Sequence, residues 1–205
     1  LWIPVVAPGL ALVVGFSATS AVSYAVEGRR RRELRSMFQR YVSPQVVDEV
    51  VQQPEALTLG GTEVEGTVFF SDIKGFTTVA EQLTPREVVQ RLNEYFGVST
   101  DVVLDRRAMV DKFIGDAIMA VFGAPVQDPD HPAQACLAAL EMEDVLSDFY
   151  NQEKHPDRPP FRSRIGIHTG RIVVGNIGTE RRVDYTAIGD AVNVAARLEQ
   201  ANKQY

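Results

Sequence analysis

The stretch MVDKFIGDAIMAVF constrains the fold more than any other. Two apolar runs, Met109–Ile114 and Ala117–Phe122, meet at Gly115-Asp116. A Gly-Asp pair between strand-length runs is turn chemistry, and so short a connection makes the two strands antiparallel neighbours. A third apolar run, VFFS at 68–71, leads into Asp72 and then the glycine turn Lys74-Gly75-Phe76-Thr77. The chain therefore places an aspartate at a glycine turn beside an apolar strand twice.

The remaining punctuation predicts how these strands are joined. Thr84-Pro85-Arg86-Glu87 reads as a capping box with proline at the first helical position. It opens a helix whose apolar face includes Val88, Leu92, Phe96, Val102 and Val103. After Pro125, Pro129 and Pro132 a second helix is expected over about 133–150. RIGIHTGRIVVGNIG predicts two strands, 164–169 and 171–177, turned at Gly170, and GDAVNVAARLEQ predicts a helix from near Asp190. The order is β-α-β-β-α-β with an added strand and helix. That is an α+β chain on the ferredoxin-like βαββαβ plan, an antiparallel sheet with helices on one face.

Upstream, residues 1–26 carry no charged side chain and are followed by an arginine run at 29–32. About 20 apolar residues cross a bilayer, and a basic cluster marks the cytoplasmic side. Residues 1–26 are expected to be a transmembrane helix, with a signal peptide as the main rival. Residues 27–63 read as a cytoplasmic helical linker, in which Leu34, Met37, Phe38 and Tyr41 form one apolar stripe suited to a dimer seam. Residues 64–205 read as the main α+β domain, expected to be incomplete at its C-terminus. The chain starts without Met and stops in mid-pattern, so a longer parent is expected. A net charge of −6 and a pI near 5.1 argue against nucleic acid as a partner. The single cysteine, Cys136, excludes an intrachain disulfide framework and is read as a small buried residue on a helix. His131 and His155 read as exposed loop residues, and His168 as a strand residue that binds no metal.

In a split βαβ sheet the first strand lies beside the hairpin, so Asp72 and Asp116 can converge at one edge. Two carboxylates without His or Cys nearby suit a hard cation such as Mg²⁺ or Mn²⁺. The turn over Gly75, Phe76 and Thr77, followed by a helix, can offer backbone N–H groups to phosphate. Taken singly, either aspartate is a common turn or cap residue; together they define a candidate site.

Four ordered blocks carry a resemblance: FFSDIKGFT, DKFIGDAIMAVFG, GIHTGRIVVGNIG and DYTAIGDAVNVAARLE. From about Glu65 onward the chain resembles the catalytic domain of class III nucleotide cyclases, the adenylate and guanylate cyclases. Its first sixty residues look like those of bacterial membrane-bound, receptor-type adenylate cyclases, which implies a place at the bacterial inner (plasma) membrane with the catalytic domain in the cytoplasm. The resemblance implies conversion of ATP to 3′,5′-cyclic AMP and pyrophosphate. It implies two divalent cations, Mg²⁺ or Mn²⁺, on Asp72, Asp116 and the Ile73 carbonyl. It further implies that Asn193 orients the ribose and that Arg197 meets charge on the α-phosphate. Lys112 and Thr186 occupy the family's base-reading positions. Lysine only donates and threonine can accept, which matches adenine's N1 and N6. Guanine would call for an acid where Lys112 stands.

In this family the site lies between two catalytic domains, so a head-to-tail homodimer is expected. The family's triphosphate-binding lysine and its closing strands fall beyond Tyr205. Rival readings are a guanylate cyclase and a non-catalytic nucleotide-binding or dimerisation module. A diguanylate cyclase would carry a GG[DE]EF-type signature, which is absent.

Overall fold

The computed structural model describes residues 60–151, 161–179 and 181–203. All of them fall in one compact unit assigned to residues 42–205. The expected membrane span, the Leu34–Tyr41 stripe and His155 lie outside the described residues. Among the described residues no helix is long and apolar enough to cross a membrane.

Among the described residues nine elements follow one another: β1 (Gly60–Ile73), α1 (Phe76–Ala80), α2 (Pro85–Asp105), β2 (Met109–Ile114), β3 (Ala117–Phe122), α3 (His131–Phe149), β4 (Ser163–Thr179), β5 (Arg182–Ile188) and α4 (Asp190–Ala201). The five strands form one sheet in the order β2-β3-β1-β4-β5, with every neighbouring pair antiparallel. This is the expected split plan with β5 added outside β4. The hairpin turns at Gly115, with φ +65°, and the capping box closes as read. Thr84 N–H donates to Glu87 Oε2 at 2.8 Å, and Glu87 N–H donates back to Thr84 Oγ1 at 3.4 Å.

Strand pleating sorts the core into two layers. On β1, Phe69 and Ile73 face α2 and α3 in one buried cluster with Tyr95, Val103 and Met142. The alternate residues Val68 and Phe70 face the other way, into a cluster with Ile172, Val174, Ala191 and Ala195 of β4 and α4. The helices therefore cover both faces of the sheet rather than one. The sequence reading missed this because a helix after the last strand can fold back on either side, and local pattern does not say which.

Five local expectations also change. Residues 60–66, read as linker, are strand: Gly60 through Gly66 pair with Asn176 through Gly170 of β4. Gly170 is no turn, since β4 runs unbroken for 17 residues. The glycines that look like punctuation there serve close packing. A Cβ on Gly166 would lie 2.3 Å from both Ala195 O and Glu199 N, so α4 rests directly on the β4 backbone. DYTAI, not read as a strand, is part of β5, the partner of the far half of β4. Finally, His131 is buried at 7% exposure and its Nδ1 lies 2.7 Å from Thr67 Oγ1, whereas Cys136 is exposed. Position on α3 rather than residue type decides both. Ala135, Ala138 and Met142 hold the inward stripe, and Cys136 falls off it.

The Gly166 contact gives a direct test. Gly166→Ala should destabilise the domain by about 3 kcal/mol or more, because the obstructing atoms are backbone. Gly97→Ala, on α2 with open space around it, should instead stabilise by about 0.5–1 kcal/mol through helix propensity. Thermal and denaturant melts of the two variants check this. Equal effects would contradict the packing.

Candidate active site

The register of β1 against β3 fixes the site. Ser71 pairs with Ile118, so Asp72 stands just past the last β1–β3 pair, at the end where the hairpin carries Asp116. The two carboxyl groups come within hydrogen-bonding reach of each other. Burial, together with the hydrogen bond and charge of Asp72, pushes Asp116 up to about 6. Burial also works to raise Asp72, but hydrogen bonds from Asp116 and Arg164 outweigh it and hold that carboxyl below its ordinary range. Ionisation of Asp72 thus makes ionisation of Asp116 harder, as expected for two acids held side by side.

Two residues of this cluster escaped the sequence reading. Arg164 of β4 stands opposite Asp72 in the strand register and donates through Nη2 to Asp72 Oδ2 and through Nε to Glu199 Oε1, the latter at 3.0 Å. Glu199 is buried at 7% exposure. Burial raises its carboxyl despite the nearby guanidinium. A signal existed for Glu199: it lies four residues after Ala195 and eight after Ala191, on the stripe α4 buries. Behind Asp72, Ser71 Oγ lies 2.7 Å from Tyr95 OH, which lies 3.1 Å from Ser163 Oγ. These bonds tie the end of β1 to α2 and β4.

The turn after Asp72 has Gly75 in the left-handed region at φ 74°, immediately before α1. The Phe76 ring packs on Phe161 at 6.0 Å, inside the core layer. Phe76 can therefore face a ligand only through its backbone. Thr77 is exposed, and the Ile73 side chain is buried at 1% exposure, leaving its carbonyl as its sole donor.

The other predicted residues gather elsewhere. Lys112 Nζ donates to Thr186 Oγ1 at 3.0 Å. Both contact Asp111, whose side chain is fully buried. Asn193 and Arg197 lie on the exposed side of α4, away from the stripe of Ala191, Ala195 and Glu199. The structure thus brings Asp72 and Asp116 together, and Lys112 and Thr186 together. Asn193 and Arg197 share an open helix face that is not the one supporting Asp72.

The donor set at the rim is all oxygen, and two facing carboxylates that repel each other are what a divalent cation relieves. Among the described residues no group of three or more His, Cys, Asp or Glu side chains is arranged to hold a metal ion. A cation here would therefore draw much of its shell from water or phosphate, which magnesium favours. The residues present fit such an ion.

The model of the adenylate and guanylate cyclase catalytic domain matches residues 62–205. The chain is similar to Adenylate cyclase 1 of Rhizobium meliloti, 40% identical over 176 residues that are 86% of this chain and 26% of that protein. It is similar to an adenylate cyclase of Anabaena cylindrica, 34% identical over 94% of this chain and 39% of that protein. It thus spans between a quarter and two fifths of the length of these curated relatives. Among solved structures it resembles the adenylyl cyclase CyaB from P. aeruginosa, with TM-score 0.66, 36% identity, and 70% of this chain and 74% of that one covered. The guanylyl cyclase Cya2 gives TM-score 0.65 and 39% identity, over 70% and 73%.

The carboxylate pair predicts a pH response. In chelator, carbon NMR of the side-chain carboxyls should show Asp116 titrating near about 6, and Asp72→Asn should move that midpoint down toward the ordinary carboxylate range. Because the folded value exceeds the unfolded one, stability from Asp116 is complete below the unfolded pKa and is lost as pH rises through about 6. Denaturation profiles should show this loss relative to Asp116→Asn. A midpoint unmoved by Asp72→Asn would mean the two groups do not interact.

Proposed function

The chain belongs to the adenylate and guanylate cyclase family of catalytic domains, and from that premise we propose that it makes 3′,5′-cyclic AMP and pyrophosphate from ATP. The observation that carries this is the meeting of Asp72 and Asp116 at the rim, with a separate Lys112–Thr186 pair of the right polarity for adenine. Asp72, Asp116 and the Ile73 carbonyl would hold two divalent cations, Mg²⁺ or Mn²⁺. When bound, these supply Lewis acidity toward the ribose 3′-hydroxyl and neutralise triphosphate charge.

The chain's own residues do the rest. Lys112 donates to adenine N1, and Thr186 accepts from the N6 amino group. The amide of Asn193 holds the ribose so that its 3′-oxygen faces the α-phosphorus. The backbone N–H groups of Gly75, Phe76 and Thr77 receive phosphate oxygens. In the reaction the 3′-oxygen bonds to the α-phosphorus, its proton leaves to solvent, and the bond from the α-phosphorus to the bridging oxygen breaks to release pyrophosphate. Arg197 donates to the α-phosphate as charge grows there, which is where a fixed guanidinium contributes most.

One copy would supply the aspartates, and its partner Lys112, Thr186, Asn193 and Arg197, giving a head-to-tail homodimer with two equivalent sites. The partition of these groups onto different faces of one chain supports that reading. We place the enzyme at a bacterial inner membrane through residues 1–26, with its domain in the cytoplasm, where it would serve intracellular signalling. The support is the uncharged run followed by four arginines.

With the full-length protein, ATP and Mg²⁺ or Mn²⁺ should give cyclic AMP, and chelation should stop it. Asp72→Ala and Asp116→Ala should each lower turnover by at least about a hundredfold. Retention of full activity in both would refute the metal assignment. An Asp72→Ala chain mixed with an Arg197→Ala chain should regain activity through one intact shared site. A verified heterodimer that stays inactive would refute the shared site.

A further inference from the structure

The base-contacting pair is held by a third residue that the proposed chemistry leaves without a role. The register of β2 slips between Val110 and Lys112: Val110 pairs with Ala120, and Lys112 pairs with Met119, the very next residue. Asp111 is the extra residue of a β-bulge. A bulge changes which face the following side chains meet. Here it turns Lys112 to the face of Met119, and Phe113 to the opposite face, where its ring stacks on Phe96 at 4.3 Å.

The bulged Asp111 spans to β5, although β2 and β5 are the two edge strands of the sheet. Its Oδ2 accepts from Ala187 N–H at 2.9 Å, and its oxygens lie 2.8 and 3.0 Å from Thr186 Oγ1. Lys112 Nζ is 3.3 Å from Asp111 Oδ1. A carboxylate paired with an ammonium and a backbone N–H has only lone pairs to offer. The hydroxyl proton of Thr186 must therefore point at Asp111.

The consequence is an assignment of polarity. Thr186 Oγ1 has given its single proton away and receives one from Lys112 at 3.0 Å, which leaves one lone pair. Lys112 has three protons, directed to Thr186, to Asp111 and, with the third, outward. The pair therefore presents one acceptor and one donor. We propose that Asp111 is a positioning residue for purine selectivity: it fixes the Thr186 hydroxyl as an acceptor only, so the site welcomes the amino group at purine position 6 and opposes a carbonyl there. This rests on the reading of Lys112 and Thr186 as the base-contacting pair. A merely structural Asp111, clamping β2 to β5, would alter stability or turnover without changing the preference between bases.

Asp111→Asn separates the two roles. The amide carbonyl can still receive Ala187 N–H, but the amide nitrogen now donates to Thr186, freeing the hydroxyl proton to turn toward the base. In the full-length protein the ratio of kcat/KM for ATP over GTP should fall by about tenfold or more. Thr186→Val should also lower the ratio, and Asp111→Asn should change it no further in the Thr186→Val background. If Thr186→Val leaves the ratio unmoved, the base-reading assignment itself fails. If Thr186→Val lowers it and Asp111→Asn does not, the assignment stands and the role of Asp111 falls. An equal effect of Asp111→Asn in both backgrounds likewise overturns that role.

Should Asp111→Asn not fold, unmodified protein answers the same question. Purine riboside triphosphate and its 6-methoxy analogue both keep the N1 acceptor and differ at position 6. The methoxy compound should be the poorer substrate by about tenfold, with the gap closing in Thr186→Val. Equal use of the two by the unmodified protein would overturn the inference.

Discussion

The site depends on β1 being clasped on both sides. Residues 67–71 pair with β3 and residues 60–73 pair with β4, so the strand has no freedom to slide by a residue without turning its buried faces outward. That register delivers Asp72 to the rim beside Asp116 and opposite Arg164. Two acids are thereby forced into an arrangement neither would adopt alone. The cost appears as the displaced titration of Asp116, and a single guanidinium, shared with Glu199, partly offsets it. The fold holds a repulsion in place, and a doubly charged ion is the kind of ligand that would relieve it.

The same economy runs through α4. Gly166 lets the helix settle onto the β4 backbone. Only because the helix lies that close does Glu199 reach Arg164, and through it Asp72. A missing side chain in the middle of a strand is thus connected, through one helix and two ion pairs, to the charge state of the rim. Glycines 166 and 170 interrupt the hydrophobic alternation of β4, yet the strand does not bend into a turn there. The Gly66–Gly170 pairing and the contact of Gly170 with Ala191 show the room being used for packing instead.

Much of this was legible in the amino acids. The β2–β3 hairpin, the capping box at Thr84 and the start of α4 near Asp190 agree with local chemistry, because each is decided by residues a few positions apart. Asp72 and Asp116 could be joined on paper because hairpin geometry and the split plan bring β1 beside the hairpin. The features that were not legible depend on distant partners. Gly170 looks like a turn until α4 is seen lying across β4. Residues 60–66 look like linker because half of their strand faces solvent and carries Thr, Glu and Gly. His131 looks exposed because its partner, Thr67, is 64 residues away. Asp111 was missed for a related reason: an acid within an edge strand reads as a solvated position, and only the bulge turns it inward.

Helix α4 bears on how the two groups of residues could serve one nucleotide. Its buried stripe of Ala191, Ala195 and Glu199 faces its own sheet and, through Arg164, supports its own Asp72. Asn193 and Arg197 occupy the exposed side. A rigid helix cannot turn both sides to the same ligand, and the packing at Gly166 leaves no slack for it to roll. If Asn193 and Arg197 act on a nucleotide held by a carboxylate pair, that pair is most simply another copy's. On this view the helix has two tasks, bracing one rim from within and addressing a second from without. Activity would then depend on how two copies approach each other. That requirement gives a function to any upstream segment able to bring two chains together or hold them apart.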